Sequence, residues 1–154
     1  MTPAIQQRIR FKASPVRLFK MYMDSGQHSD ATGAKAVVSR KVGGKFSAFD
    51  GVITGKMLAI IPDRMLVQSW RAAHWKKTDL DSTLVLIFSR IKGGTQVHLT
   101  HVNVPEHDHS GVTNGWKTYY WKPWRAYLKP PAGTAPGEAA PRAGEKMMRA
   151  RMVR

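Results

Sequence analysis

The histidines are the side chains of this sequence best suited to chemistry, and most of them lie close together. His98 and His101 fall in a segment that alternates like a β-strand, and His107-Asp108-His109 follows soon after. Successive strand residues point to opposite faces, so positions 98 and 101 cannot ligate one metal from the same side of a regular strand. Zinc requires three or four converging ligands. We therefore predict no metal site, and no other cofactor motif is evident.

Covalent catalysis finds no support in the residue pattern. The chain has no cysteine, and no nucleophile, base and orienting group stand in a recognisable arrangement. His101 is a single titratable group that could serve as an acid, a base or a hydrogen-bond partner inside a cavity. We predict no catalytic residues and favour a non-enzymatic protein. The alternative is an enzyme of cyclase or hydrolase type that uses one polar cavity residue.

The aromatic residues near the C-terminus predict a helix with one apolar face. At 3.6 residues per turn the stripe comprises Val112, Trp116, Tyr119, Tyr120, Pro123, Trp124 and Tyr127. The helix is predicted to begin between residues 109 and 113 and to end near Leu128. Pro123 lacks a backbone donor, so we expect a kink or interruption near residues 119–122. Trp121 lies beside the stripe and is predicted to be partly exposed.

The preceding residues predict the elements that would surround this helix. Alternation over residues 4–12 indicates a strand, and Ser14-Pro15 is typical of a helix start. A second short helix is expected near residues 25–33. Further strands are predicted at residues 36–40, 46–49, 52–61, 65–71, 79–92 and 96–104, joined by turns such as Asp50-Gly51.

This order of elements predicts an α+β domain over residues 1–128, in which one curved antiparallel sheet wraps around the long C-terminal helix. Residues 129–154 are rich in Pro, Gly, Ala and charge, and we predict a disordered basic tail. A cavity between sheet and helix would be a natural ligand site for an apolar small molecule. The predicted cavity residues are Phe46, Phe49, Trp70, Phe88, His101, Trp116 and Tyr120.

The charge of the chain indicates acidic partners. Its formal net charge is +15, spread over the predicted domain and the tail, and such a field attracts acidic proteins and polyanions. Arg8, Arg10 and Lys12 alternate along the first strand and form, with Trp121, the predicted partner surface. The chain lacks a recognition helix or aromatic platform, so no specific nucleic-acid binding is predicted; non-specific binding to polyanions stays open.

Neither a membrane span nor a secretion signal is evident in the sequence. No apolar run approaches the ~20 residues of a membrane-spanning helix, and the N-terminal residues are polar and alternating. We expect a cytoplasmic protein. The oligomeric state is left open.

An ordered series of short motifs resembles one family. The series comprises Ser14-Pro15 with Phe19, Gly43-Gly44-Lys45-Phe46, Phe49-Asp50-Gly51, Gly55, Pro62, Val67, Trp70-Arg71, Trp75, Val104-Pro105, Gly115-Trp116 and Tyr119-Tyr120. Over residues 5–128 it is similar to the C-terminal domain of the activators of heat-shock protein 90 ATPase, in the START-like superfamily. The resemblance implies the helix-grip fold, two short helices after the first strand, and a co-chaperone role in the stress response. Elsewhere in that superfamily, relatives bind lipids, hormones or polyketides in the cavity.

Overall fold

A seven-stranded antiparallel sheet is the main element of the computed structural model, which describes residues 2–129. The strands are β1 (Ile5–Phe11), β2 (Val37–Val38), β3 (Lys45–Ala48), β4 (Ile53–Ile61), β5 (Met65–Ala72), β6 (Ser82–Ile91) and β7 (Gly94–Val102). Their order in the sheet is β1-β7-β6-β5-β4-β3-β2, so β2 to β7 form a meander and β1 adds to its end. The predicted tail lies outside the described residues except for Lys129.

Two short helices follow the first strand, as predicted: α1 (Pro15–Met23) and α2 (Ser25–Thr32). The Ser14 hydroxyl accepts a hydrogen bond from the Arg17 backbone N–H at 3.1 Å, which confirms the predicted N-cap. Gly33 ends α2 in the left-handed conformation with φ of 84°, where a side chain would be strained.

The C-terminal helix is interrupted, as Pro123 predicts. A short 3₁₀ turn (Glu106–Asp108) leads into α3 (His109–Gly115), a π-helical segment (Trp116–Trp121) and α4 (Lys122–Leu128). The Lys122 N–H bonds to the carbonyl of Lys117, five residues back, instead of four. Pro123 follows directly and has no N–H to continue the α-helical pattern. The wider turn lets the chain pass the proline without breaking the helix.

The π-helical segment changes which aromatics face the sheet. Because its hydrogen bond spans five residues instead of four, it shifts the phase of the helix, and the consecutive residues Tyr120 and Trp121 are both buried. Trp121 is only 4% exposed, so the prediction of a partly exposed contact residue is wrong. Tyr127, predicted on the inward stripe, is 37% exposed. A regular period of 3.6 residues per turn therefore predicts the wrong exposure for Trp121 and Tyr127.

The two faces of the sheet differ along every long strand. In β6, Leu84, Leu86 and Phe88 are buried against the helices, whereas Val85 and Ile87 point outward. The buried side chains of the sheet and the helices form one continuous hydrophobic core. Below, the face that packs on the helices is called the inner face, and the opposite face is called the outer face.

Candidate functional site

The space between the sheet and the C-terminal helix is almost completely filled. The cavity there has a volume of about 10 Å³ and is lined by Phe49, Trp70, Val112, Gly115, Trp116, Tyr119 and Tyr120. Four of the seven predicted cavity residues therefore line it, whereas Phe46, Phe88 and His101 are buried elsewhere in the core. A small-molecule site has a volume of about 300–1,000 Å³. Aromatic side chains occupy the volume that such a ligand would need.

His101 is the centre of a buried hydrogen-bond chain on the inner face. The Trp116 indole N–H, which can only donate, lies 3.1 Å from His101 Nδ1. Nδ1 is therefore the acceptor and Nε2 carries the proton. His101 Nε2 lies 2.8 Å from Ser82 Oγ, and the Ser82 hydroxyl donates to the Trp70 carbonyl at 2.6 Å. Every polar atom of the imidazole ring is satisfied.

This geometry opposes a catalytic role for the Ser82–His101 pair. A general base must accept the proton of the serine hydroxyl, but here His101 Nε2 donates and the serine proton goes to a backbone carbonyl. Both side chains are buried, which excludes water and substrate. Burial lowers the pKa of His101 to about 3, so the ring stays neutral. The pair fixes the C-terminal helix to the sheet.

A second polar chain crosses the core on the other side of Tyr120. His28 Nδ1 donates to the Tyr22 carbonyl at 2.8 Å, and its Nε2 accepts from the Tyr120 hydroxyl at 2.9 Å. The Tyr22 hydroxyl donates to the Gln68 side chain at 2.7 Å. Burial lowers the pKa of His28 to about 4 and raises the pKa of both tyrosines. These contacts join α2, the C-terminal helix and β5.

Two buried indole groups have no hydrogen-bond acceptor within residues 2–129: the Nε1 atoms of Trp70 and Trp124. Trp70 lines the small cavity, but the other lining side chains are apolar apart from the tyrosine hydroxyls. A buried water usually needs two to four polar partners and a volume of at least about 10–15 Å³. At about 10 Å³ the cavity only reaches the lower bound for one water and is far too small for a small-molecule ligand.

Histidine–aspartate contacts join the β5–β6 loop to the residues that precede the C-terminal helix. His107 Nε2 lies 2.7 Å from Asp79, and the Trp75 indole N–H donates to Asp108 at 2.8 Å. His74 also lies 3.1 Å from Asp108. The hydrogen bond from His107 lowers the pKa of Asp79. These contacts fasten the β5–β6 loop to the start of the C-terminal helix, and residues 2–129 hold no group of three His, Asp or Glu arranged for a metal.

The cations of the predicted partner surface are free of these networks. Arg8 and Arg10 on β1, and Lys12 directly after it, are exposed and make no ion pair with another described residue. Trp121 does not join them, because its indole N–H donates to Gln7 at 2.7 Å inside the domain. Of the residues predicted for a partner surface, the three cations are exposed and the tryptophan is buried.

Sequence reasoning missed Ser82 and His28. The alternation of β6 places Ser82 on the same face as Leu84 and Leu86, so its burial had a detectable signal. His28 lies in α2, a short helix of mostly small and polar residues without a distinct apolar stripe. Its burial depends on contacts with Tyr22 and Tyr120, which lie on other helices and leave no periodic signal within α2.

A curved antiparallel sheet closed around an interrupted C-terminal helix, with two short helices after the first strand, defines a helix-grip protein of the START-like class. The chain belongs to the family described as activator of Hsp90 ATPase homolog 1-like protein, whose model matches residues 12–129. This confirms the resemblance seen in the motifs.

Curated relatives of this family are similar along most of the domain. The human activator of 90 kDa heat shock protein ATPase homolog 1 is 26% identical over 112 residues, which are 73% of this chain and 33% of the relative. The Dictyostelium discoideum homolog is 25% identical over 118 residues, or 75% of this chain and 30% of the relative. The chain thus spans about a third of the length of these relatives.

Solved structures share the fold. A Plasmodium falciparum protein described as an HSP90 activator superposes with a TM-score of 0.75 at 27% identity, covering 82% of this chain and 96% of that one. The Aha1 dimer of Colwellia psychrerythraea gives a TM-score of 0.66 at 18% identity, with 77% and 90% covered. In residues 2–129, no helix has the length and apolarity needed to cross a membrane.

Proposed function

We propose that this chain is a non-enzymatic protein-binding module that associates with a heat-shock protein 90-type chaperone and alters its ATPase rate. The family match over residues 12–129 is the observation that carries this proposal. The Plasmodium falciparum neighbour, described as an HSP90 activator, has 96% of its length covered, which supports a role for a chain built mainly from this domain. A cytoplasmic location and a part in the stress response belong to the same proposal.

The filled interior supports a protein partner over a small molecule. An apolar ligand would have to displace Trp116, Tyr120 and their neighbours from the space beside the 10 Å³ cavity. It would also break the hydrogen bonds that join these side chains to His101 and His28. The exposed cations, by contrast, are already available to an acidic protein surface.

The enzyme alternative meets a similar obstacle. The buried polar groups His101 and Ser82 bond to each other, as do His28 and Tyr120, and all four are closed to water. Without access to a substrate, none can transfer a proton in a reaction. These features therefore support binding of a partner at the surface over catalysis in the interior.

The proposal is tested by titrating the purified full-length chain into a heat-shock protein 90-type chaperone while its ATPase rate and the binding heat are measured. We expect saturable binding at low salt that weakens as salt rises, together with a change in ATPase rate. An unrelated acidic protein of similar size and charge is the control for non-specific attraction. Absence of binding and of any rate change at low salt would refute the proposal.

A further inference from the structure

The outer face of the sheet carries an unusual strip of exposed apolar side chains. Ile61 on β4 is 47% exposed and Ile87 on β6 is 37% exposed. The strand register places Ile61 opposite Met65, and Met65 opposite Ile87, so the three form one row across β4, β5 and β6. The row is continuous, and none of its three members belongs to the buried core cluster.

A second row runs beside the first. Ala59 pairs with Val67, and Val67 pairs with Val85, again across β4, β5 and β6. Leu58, at the irregularity in β4, is 48% exposed next to this row. Together the two rows make an apolar patch, which we call the outer patch. Exposed apolar residues are ordinary when scattered, but a contiguous patch marks an interaction site.

The same rows continue into polar and cationic residues. Ile87 pairs with His98, and His98 pairs with Arg8 on β1. Arg10 lies two residues further along β1, opposite Gln96. Arg8 and Arg10 make no ion pair with any residue from 2 to 129. The β4–β6 side of the outer face is therefore apolar, and the β7–β1 side is mostly polar and carries the two arginines.

This division specifies the chemistry of a partner. An apolar patch bordered by charge matches the usual anatomy of a protein interface, with a dry centre and a polar rim. The rim here is cationic and makes no ion pair within residues 2–129, so the complementary surface is acidic beside its apolar centre. A second copy of this chain, with the same net charge of +15, would bring cations toward cations.

We propose that the outer face of β4, β5, β6, β7 and β1 is the docking surface for the chaperone. The outer patch is its apolar centre, and Arg8 and Arg10 form the rim that contacts acidic residues of the chaperone. The inference rests on the proposed function and assigns it to one face of the domain. It leaves the C-terminal helix out of the interface. The partner surface contacted would be an acidic region with exposed apolar side chains.

Ile87→Lys separates this surface from simple charge attraction. The substitution adds a positive charge, so attraction alone would tighten binding to an acidic chaperone. The proposal expects a loss of about tenfold in affinity, because a charge is placed in the apolar centre of the interface. Leu80→Lys is the matched control: Leu80 is 74% exposed in the β5–β6 loop, and its substitution should leave the affinity unchanged or slightly tighter.

A second pair of variants tests the cationic rim, and both variants lower the net charge by the same amount. Arg8→Glu with Arg10→Glu reverses two charges on the outer face, and Lys117→Glu with Lys122→Glu reverses two exposed charges on the C-terminal helix. We expect the β1 pair to weaken chaperone binding at least about tenfold and the helix pair less than about threefold. Thermal unfolding of all four variants shows whether the fold is kept.

The outcomes distinguish the two proposals. If the wild-type chain does not bind the chaperone, the proposed function fails and this surface fails with it. If the wild type binds but Ile87→Lys and the β1 charge reversal bind equally well, the function stands and the docking surface is refuted. Binding of the wild type to vesicles of phosphatidylserine and phosphatidylcholine that Ile87→Lys abolishes, or self-association that it abolishes, would overturn the assignment in favour of a membrane or a second copy.

Discussion

The two faces of the sheet are formed by the same strands but carry side chains with opposite roles. On the inner side of the sheet the side chains that could be reactive, His101, Ser82 and His28, are buried under aromatic rings. His101 bonds to Ser82 and Trp116, and His28 bonds separately to the Tyr22 carbonyl and the Tyr120 hydroxyl. On the outer face apolar residues and arginines remain exposed. The residues that look most reactive in this sequence therefore hold the fold together. The surface available to a partner is made of residues with no catalytic signature.

The β7 histidines show the contrast within one strand. His101 is fully enclosed, whereas His98, three residues earlier, lies on the outer face within 3.1 Å of the Gln6 side chain. Strand alternation alone separates them. The same residue type therefore has a structural role on one face and a place in the proposed interface on the other.

Loss of an inner-face aromatic should have the largest effect. Trp116→Ala removes a buried indole that stacks on Trp121 at 5.6 Å and donates to His101, and should lower the free energy of unfolding by about 3–5 kcal/mol. Tyr127→Ala, on the exposed side of the same helix, should cost less than about 1 kcal/mol. Urea denaturation of both variants measures the difference. Equal effects would mean that the inner face of the helix is assigned wrongly.

Acid should lower the free energy of unfolding through the buried histidines His28 and His101. The unfolded chain protonates its histidines near pH 6.5, but folded His28 and His101 have pKa values of about 4 and about 3. Their contribution is therefore complete above pH 6.5 and is lost as the pH falls toward these folded values. Between pH 7 and pH 5 the unfolding free energy should drop by about 2 kcal/mol for each histidine.

Urea denaturation across this pH range supplies the test. His28→Gln should reduce the slope of stability against pH by roughly half. A flat profile between pH 7 and pH 5 in the wild-type chain would contradict the burial of neutral histidines.

The contribution of the His101 hydrogen bonds to stability should be measurable separately from the contribution of its burial. His101→Leu leaves the Trp116 N–H and the Ser82 hydroxyl oxygen without their partner, and should cost about 1–3 kcal/mol. His98→Leu, on the outer face of the same strand, should change stability by less than about 0.5 kcal/mol. Thermal unfolding monitored by circular dichroism compares them. Indistinguishable melting temperatures would show that the buried chain contributes nothing.

The smallest expected effect concerns the outer patch. Ile87→Thr should change the unfolding free energy by less than about 0.5 kcal/mol, because the side chain is partly exposed and threonine suits a strand. The check is the same denaturation experiment. A loss above about 2 kcal/mol would mean that Ile87 belongs to the core.

Much of the fold was accessible from the sequence because its signals are local. Strand alternation, the Ser14 cap, Gly33 and the hairpin at Asp50-Gly51 each follow from neighbouring residues. The interruption at Pro123 followed from one missing backbone donor. The family resemblance then supplied the topology, which the sheet order confirms.

What the sequence did not predict depends on geometry between distant residues. The π-helical turn shifts the phase of the helix, so Trp121 enters the core and Tyr127 leaves it. The closing of the predicted cavity depends on how Trp116 and Tyr120 pack against the sheet, which periodicity cannot measure. The outer patch required the strand register, since its rows are formed by residues from three separate strands.

Methyl-group NMR of residues 1–154 during titration with the chaperone shows which face of the sheet is in contact. With isoleucine, leucine and valine methyls labelled, docking on the outer face predicts line broadening or shifts at Ile61, Val85 and Ile87, while buried Leu84 and Leu86 stay unchanged. Selective perturbation of the inner-face methyls, with Ile61 and Ile87 unaffected, would contradict it. That result would assign binding to the helix side or to an opened cavity.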